Sequence, residues 1–183
     1  MMARSGTYPR QRGQMTSGTS SVSVARTDRI ELREITPSAA AALTAGDDGG
    51  FAWAPGGPYE GTRDACTMIV KAAQAGVYNP LWGAFAIIRL ADGAAVGGVG
   101  FHGPPSDGLV EIGYDLADSA RGHGFATEAA RLVTAYALAH PEVACVLAHT
   151  EPANAASQAV LLRAGFERDG VGEDDLYRFV LRG

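Results

Sequence analysis

Apolar and polar residues alternate strictly along Arg29-Ile30-Glu31-Leu32-Arg33-Glu34-Ile35-Thr36, and that period of two predicts a half-buried strand. Thr36-Pro37-Ser38 predicts a helix start with proline in the first turn, continuing through 39–45. Residues 47–61 form a Gly/Pro loop carrying Phe51, Trp53 and Tyr59, aromatics that either cover an acceptor pocket or plug the open side of the core. A second helix is expected over 62–76, with Ala65, Met68, Ile69, Ala72 and Ala73 on one face. A strand over 81–90 turns at Ala91-Asp92-Gly93 into its antiparallel partner, 95–101. Gly97, Gly98 and Gly100 in that partner mark close backbone approach or a bulge. After a turn over 102–108, residues 109–116 complete a meander.

A long helix over 126–139 follows, then an apolar strand, 143–148, which a helical crossover makes parallel to 109–116. A short helix over 155–164 stops at Gly165, and 166–168 with 176–181 form a last hairpin. The order is β-α-α-β-β-β-α-β-α-β-β: an α/β fold with a mixed sheet and helices on both faces, in one domain over 28–183. Residues 1–27, rich in Ser, Thr, Gly and Arg and without periodicity, are expected to be a disordered tail, within which Met15 is an alternative start.

Composition narrows the class. With 46% hydrophobic residues the chain has ample material for a core. No apolar run approaches the roughly 18–20 residues of a membrane span, and residues 1–26 lack the apolar centre of a secretory signal. Cys66, in an amphipathic helix, and Cys145, in an apolar strand, lie far apart and read as buried free thiols of a reducing, cytoplasmic compartment. The formal charge is −5, and the only charges before Asp28 are four arginines, so the remaining chain is more acidic still. Nucleic acid is therefore not an expected partner, whereas a cationic amine is compatible with the surface.

The candidate chemistry starts at Asp118-Ser119-Ala120-Arg121-Gly122-His123-Gly124-Phe125-Ala126. Two glycines just before a helix allow a tight turn with positive φ and aim unpaired N–H groups at one point, a place for a phosphate or pyrophosphate. Walker A is excluded because the only lysine is Lys71. The dinucleotide fingerprint is weak because Thr127 stands where its third glycine belongs. The remaining pattern, Arg-x-x-Gly-x-Ala, is met by Arg121, Gly124 and Ala126. The histidines His102, His123, His140 and His149 lack metal-ligand spacing, and no metal is expected.

A second motif follows the apolar strand: His149-Thr150-Glu151-Pro152-Ala153-Asn154, then Ser157, and a helix ending in Gly165-Phe166. Together with the Arg121 loop at this separation, with Val110-Glu111-Ile112-Gly113-Tyr114 before it and Ala126-Thr127-Glu128-Ala129 after it, the chain resembles the GNAT acetyltransferase superfamily, more narrowly its RimJ/RimL-like branch. The resemblance covers about 29–181 and implies a fold whose central strands splay apart to hold an acyl-CoA. It implies that Arg121, Gly122, His123, Gly124, Phe125 and Ala126 bind the pyrophosphate of acetyl-CoA, and that the pantetheine arm pairs near Tyr114 to Leu116. By the same resemblance Asn154 and Ser157 contact the cofactor, although Asn154 reads equally well as a helix N-cap.

The activity implied is acetyl transfer to a primary amine, on a protein N-terminus (ribosomal or other) or a small molecule, by direct attack in a ternary complex. A lysine-like amine with pKa about 10.4 is almost wholly protonated at neutral pH, so a base is needed. Glu111, at the place of the family's strand glutamate, is the candidate, with His149 and Asp115 behind it. Many superfamily members carry a tyrosine seven residues after the asparagine, and this chain has Leu161 there, which leaves the proton donor for the leaving thiolate open. Glu128 is read as stabilising the start of its helix. Acceptor selectivity is placed in 47–61 and the last hairpin. A non-catalytic acyl-CoA sensor, a longer donor such as succinyl-CoA, and a homodimeric assembly stay open.

Overall fold

The computed structural model describes residues 23–183. Strands β1 (Ser23–Arg26), β2 (Ile30–Glu34), β3 (Ala84–Arg89), β4 (Ala95–Phe101), β5 (Leu109–Leu116), β6 (Cys145–Thr150), β7 (Glu167–Val171) and β8 (Tyr177–Arg182) form one sheet, ordered β1-β2-β3-β4-β5-β6-β8-β7. Every neighbouring pair is antiparallel except β5–β6, the pair joined by a helical crossover. The helices are α1 (Pro37–Thr44), α2 (Glu60–Gln74), α3 (Phe125–Leu138) and α4 (Ala155–Ala164).

Strand β1 corrects the expected tail over 1–27: Ser23–Arg26 pairs with β2, and the rest of that segment, 1–22, lies outside the described residues. Alternation alone could not reveal β1, whose order comes from the β2 edge beside it. The strand expected over 81–90 begins only at Ala84, because Asn79 caps a short 3₁₀ turn, Pro80–Trp82, whose N-terminal proline suits a helical start.

Apolar residues on both faces of the sheet build two cores. On one face α3 and α4 cover Ile30, Phe85, Val99, Phe101, Ile112, Val146 and Phe179. On the other α1 and α2 cover Ile35, Ala84, Ala86, Ile88 and Ala95. Phe51 belongs to this second core with Trp53 against it, while Tyr59 packs against the first, so the loop aromatics close the core; Phe51 and Trp53 also border a surface hollow.

A bulge in β4 sets which residues face α2. Ile87 pairs with Gly97 while Ile88 pairs with Ala95, leaving Val96 as the extra residue. Its carbonyl accepts the Ala117 N–H at 2.8 Å. Alternation is thereby reset: Val96 and Val99 both enter the α3-side core, and Gly98 and Gly100 face α2 with no side chain. Gly98 has to be bare, since a Cβ there would overlap the Thr62 hydroxyl.

Candidate active site

Strands β5 and β6 pair at Leu109–Cys145, Val110–Val146 and Glu111–Leu147, and no further. Beyond Glu111 they part, while β5 stays bonded to β4 through Leu116, and β6 to β8 through Thr150. Two well-anchored strands diverging under the sheet's twist leave the β6-facing edge of Ile112 to Leu116 without a strand partner. The gap is a cleft of about 390 Å³ bordered by His102, Gly113, Tyr114, His149, Asn154 and Ser157.

Tyr114 spans the gap. Its hydroxyl lies 2.9 Å from Ser157 Oγ and donates to the Ser157 carbonyl at 3.2 Å, joining β5 to the first turn of α4. Burial pushes its phenol up to about 12, so it stays protonated at neutral pH. Asn154 caps α4, its Oδ1 accepting the Ser157 N–H at 3.0 Å. Leu161, seven residues after Asn154, is fully buried in the core.

The Arg121 loop is built as the glycine spacing requires. Gly122 and Gly124 have φ of 79° and 83°, and Gly124 caps α3. Among the described residues the N–H groups of 122–127 donate to no protein acceptor, and the first backbone bond of α3 runs from Glu128 N–H to Gly124 O. They form an anion cradle at the positive end of a 14-residue helix. Arg121 is exposed and paired with Asp118 at 3.0 Å. The His123 ring stacks on Phe125, turning Nδ1 to the Arg121 carbonyl at 2.8 Å. Phe125 and Ala126 are buried, and Leu116 packs against the α3-side core, so these three shape the cradle and cleft from beneath.

Glu128 does more than neutralise a helix end. Its carboxylate takes Arg29 Nε at 2.7 Å and the Thr27 hydroxyl at 2.9 Å, and pairs with Arg29 NH2. Arg29 also donates to the His123 carbonyl at 3.0 Å and lies over the Phe125 ring. Thr27 and Arg29, which flank the turn into β2, thus lock the loop to the sheet edge.

Glu111 stands at the last paired rung, where the strands begin to part. Its Oε1 is 2.8 Å from His149 Nδ1 on β6 and 3.4 Å from His102 Nδ1 at the end of β4. These contacts hold the Glu111 carboxyl down to about 2, His102 contributing most and His149 next, against a burial effect of opposite sign. The same ion pairing raises His102 above the ordinary histidine value. Glu111 is thereby kept ionised between the two rings. Asp115 is engaged elsewhere: it accepts from Thr62 N at 2.6 Å and from Thr62 Oγ1 and Gly98 N at 2.8 Å each.

A second space lies on the α2 side of the sheet. Gly98, Gly100 and Gly113 form its floor, and Thr62, Ala65 and Met68 of α2 its roof, enclosing about 390 Å³. It runs on into a smaller hollow of about 110 Å³ beside Tyr78, Trp82 and Pro104. Of the loop 47–61, only Gly61 reaches this trench, and Asp48, Phe51, Trp53 and Pro58 border a separate hollow. Tyr114, Asn154 and Ser157 are thus brought together around the cleft, Glu111 stands at the last paired rung below its mouth, and 121–126 lies beyond the C-terminal end of β5. His102 was read only as part of a turn. Its signal was the meander itself, because continuing the β4–β5 ladder one rung past Phe101–Ile112 sets His102 against Glu111, where its N–H donates to the Glu111 carbonyl at 3.0 Å.

Comparison with known proteins gives this arrangement a class. Residues 29–167 match the family model described as acetyltransferase (GNAT) domain. The chain belongs to the GNAT acetyltransferase family. It is 39% identical over 72 residues to the uncharacterised N-acetyltransferase YjdG of Bacillus subtilis strain 168, an alignment spanning 39% of this chain and 43% of that protein. An acetyltransferase from Agrobacterium tumefaciens str. C58 superposes with a TM-score of 0.61 at 21% identity, covering 99% of this chain and all of that one, 100%. Mycobacterium smegmatis RimJ, solved with CoA-disulfide, superposes with a TM-score of 0.59 at 22% identity over 84% of this chain and 82% of that one. At these identities the structural likeness is one of fold.

Proposed function

We propose that the chain is an acetyl-CoA-dependent N-acetyltransferase that transfers an acetyl group to a primary amine by direct attack in a ternary complex. The observation that carries the reading is the parting of β5 and β6 beyond Glu111, which opens a cleft that shares His102, Gly113 and Tyr114 with the trench on the α2 side. The N–H groups of 122–127 suit the pyrophosphate, and the free edge of Ile112 to Leu116 suits the amide groups of the pantetheine arm. Tyr114, Asn154 and Ser157 border the cleft along which that arm would run. These residues fit acetyl-CoA as a co-substrate, and bound there it supplies the activated acetyl group.

The trench supports an acceptor with an apolar body. Ile35, Ala65, Met68, Ala84, Val99 and Phe101 line it, with Asp64 as its one carboxylate besides the committed Asp115. A polycationic acceptor needs several free carboxylates, whereas a protein or peptide N-terminus bearing small apolar residues needs one amine site and apolar walls. We therefore favour a protein N-terminus over an aminoglycoside-like substrate. The buried Leu161, in place of a tyrosine, favours the second reading, an acyl-CoA-binding module without turnover.

Thiol release from acetyl-CoA, with mass spectrometry of the product, separates these across peptides of varied first residue, polyamines, aminoglycosides and a parallel succinyl-CoA series. Acetylated peptide is expected, with a loss of about 10²–10³-fold in kcat/KM for Glu111→Gln. Coenzyme A binding without transfer to any amine would install the sensor reading instead.

A further inference from the structure

We propose that His102 is the group that takes the proton of the acceptor amine, with Glu111 as its positioning residue; this rests on the N-acetyltransferase reading. The ring of His102 borders the cleft and both parts of the trench. It thus stands where a donor lying in the cleft and an amine arriving along the trench meet. His149 borders the cleft alone among these spaces.

The orientation of each ring follows from Glu111. An ionised carboxylate only accepts, so the Nδ1 of each histidine facing Oε1 carries the hydrogen, and each Nε2 keeps its lone pair. The surroundings of the two Nε2 atoms differ. His149 Nε2 is turned toward Gly172, where a Cβ would stand 3.1 Å away, and that ring is 24% exposed. His102 Nε2 lies over the bare backbone of Gly113, where a Cβ would stand 2.7 Å away, and that ring is 50% exposed. Gly113 borders both cleft and trench, so the basic nitrogen of His102 is held at the opening between them. His149 braces the carboxylate from β6.

The step balances as follows. His102 Nε2 takes one proton from the ammonium form of the acceptor and later passes it to water. The freed nitrogen lone pair forms the C–N bond to the acetyl carbonyl carbon, and the C–S bond breaks with its electron pair on sulfur. The second proton on nitrogen ends on that sulfur, giving amide, thiol and one proton in solution. The charged or titratable groups around His102 are Glu111 and Tyr114 from β5, His149 from β6, Glu151 just after it, Asp64 from α2 and Tyr78 before β3, with Asp115 bound to Thr62 and Gly98. Glu111 is the one in contact, and it raises the His102 pKa.

The test uses the full chain with acetyl-CoA and the best peptide acceptor. His102→Ala is expected to lower kcat by about 10²–10⁴-fold. Added imidazole should restore part of it in proportion to its free base. His149→Ala is expected to gain nothing from imidazole. Gly113→Ala, which keeps every titratable group, should displace the ring and lower kcat without being rescued by imidazole. Nitrogen NMR at a pH above the histidine titration should find the neutral His102 ring protonated at Nδ1, a preference weakened in Glu111→Gln. A folded His102→Ala with near-normal kcat would overturn the assignment while leaving the acetyltransferase reading intact. A neutral His102 ring that carries its hydrogen on Nε2 would also overturn it, whatever the activity. A wild type that transfers to no amine overturns both.

Discussion

Replacing Asp115 by asparagine tests whether the sheet caps helix α2. Tyr59 occupies the N-cap without a side-chain hydrogen bond, so the N–H of Thr62 is left to Asp115, which lies 53 residues further along the chain. One carboxylate oxygen takes that N–H, and the other takes the Thr62 hydroxyl and the buried Gly98 N–H. Asparagine keeps the volume but offers one acceptor oxygen, so in either rotamer its NH₂ opposes at least one donor. A hydrogen bond to a charged acceptor contributes about 1.5–3 kcal/mol, and an anion at the positive end of a helix about 0.3–1 kcal/mol. A loss of about 2–3 kcal/mol is expected, equivalent to a fall in Tm of roughly 4–12 °C for a chain of this size. Urea denaturation with an unchanged m value, alongside calorimetry, measures it. A midpoint and Tm matching the wild type would refute the cap. Turnover retained by Asp115→Asn below its transition would also remove Asp115 from proton transfer, since an amide takes no proton.

The remaining expectations concern the cradle and the ion cluster. Gly124→Ala forces a Cβ into a backbone at φ 83° and within 3.2 Å of Arg29, so a loss of about 1–2 kcal/mol in stability and weaker coenzyme A binding by calorimetry are expected. Unchanged affinity would show that the loop does not hold the diphosphate. Glu111 has its carboxyl pKa depressed in the folded chain to about 2, so its stabilising contribution is present above its ordinary value of 4.5 and lost as pH falls toward 2. His102 has a raised pKa, so its contribution is full below 6.5 and lost as pH rises through the folded value. The stability difference between wild type and Glu111→Gln should therefore be largest between about pH 4.5 and 6.5 and shrink on both sides in chemical denaturation. A difference independent of pH would show that the His102–Glu111 pair does not form.

What could be read from the chain was what short stretches of it encode. Glycine at 122 and 124 before an amphipathic run dictates a left-handed turn and a helix start, because the conformation is forbidden to most other residues and the unpaired N–H groups follow from helix geometry. Asn154 at its cap, Gly165 at the end of α4 and the meander 95–116 are local in the same sense. The site's chemistry was less local. Glu111 reads as the base by resemblance, whereas its two histidine neighbours, from the strands on either side, come beside it only in the folded chain. His102 looked like a turn residue until the ladder register set it against Glu111, and Asp115 looked like a second base until α2 packed over it. Pairing partners, the end of a parallel pair and the helix that lies over a bare glycine floor depend on contacts between residues tens of positions apart. Those contacts are chosen by burial of the whole core, so they belong to the tertiary structure alone.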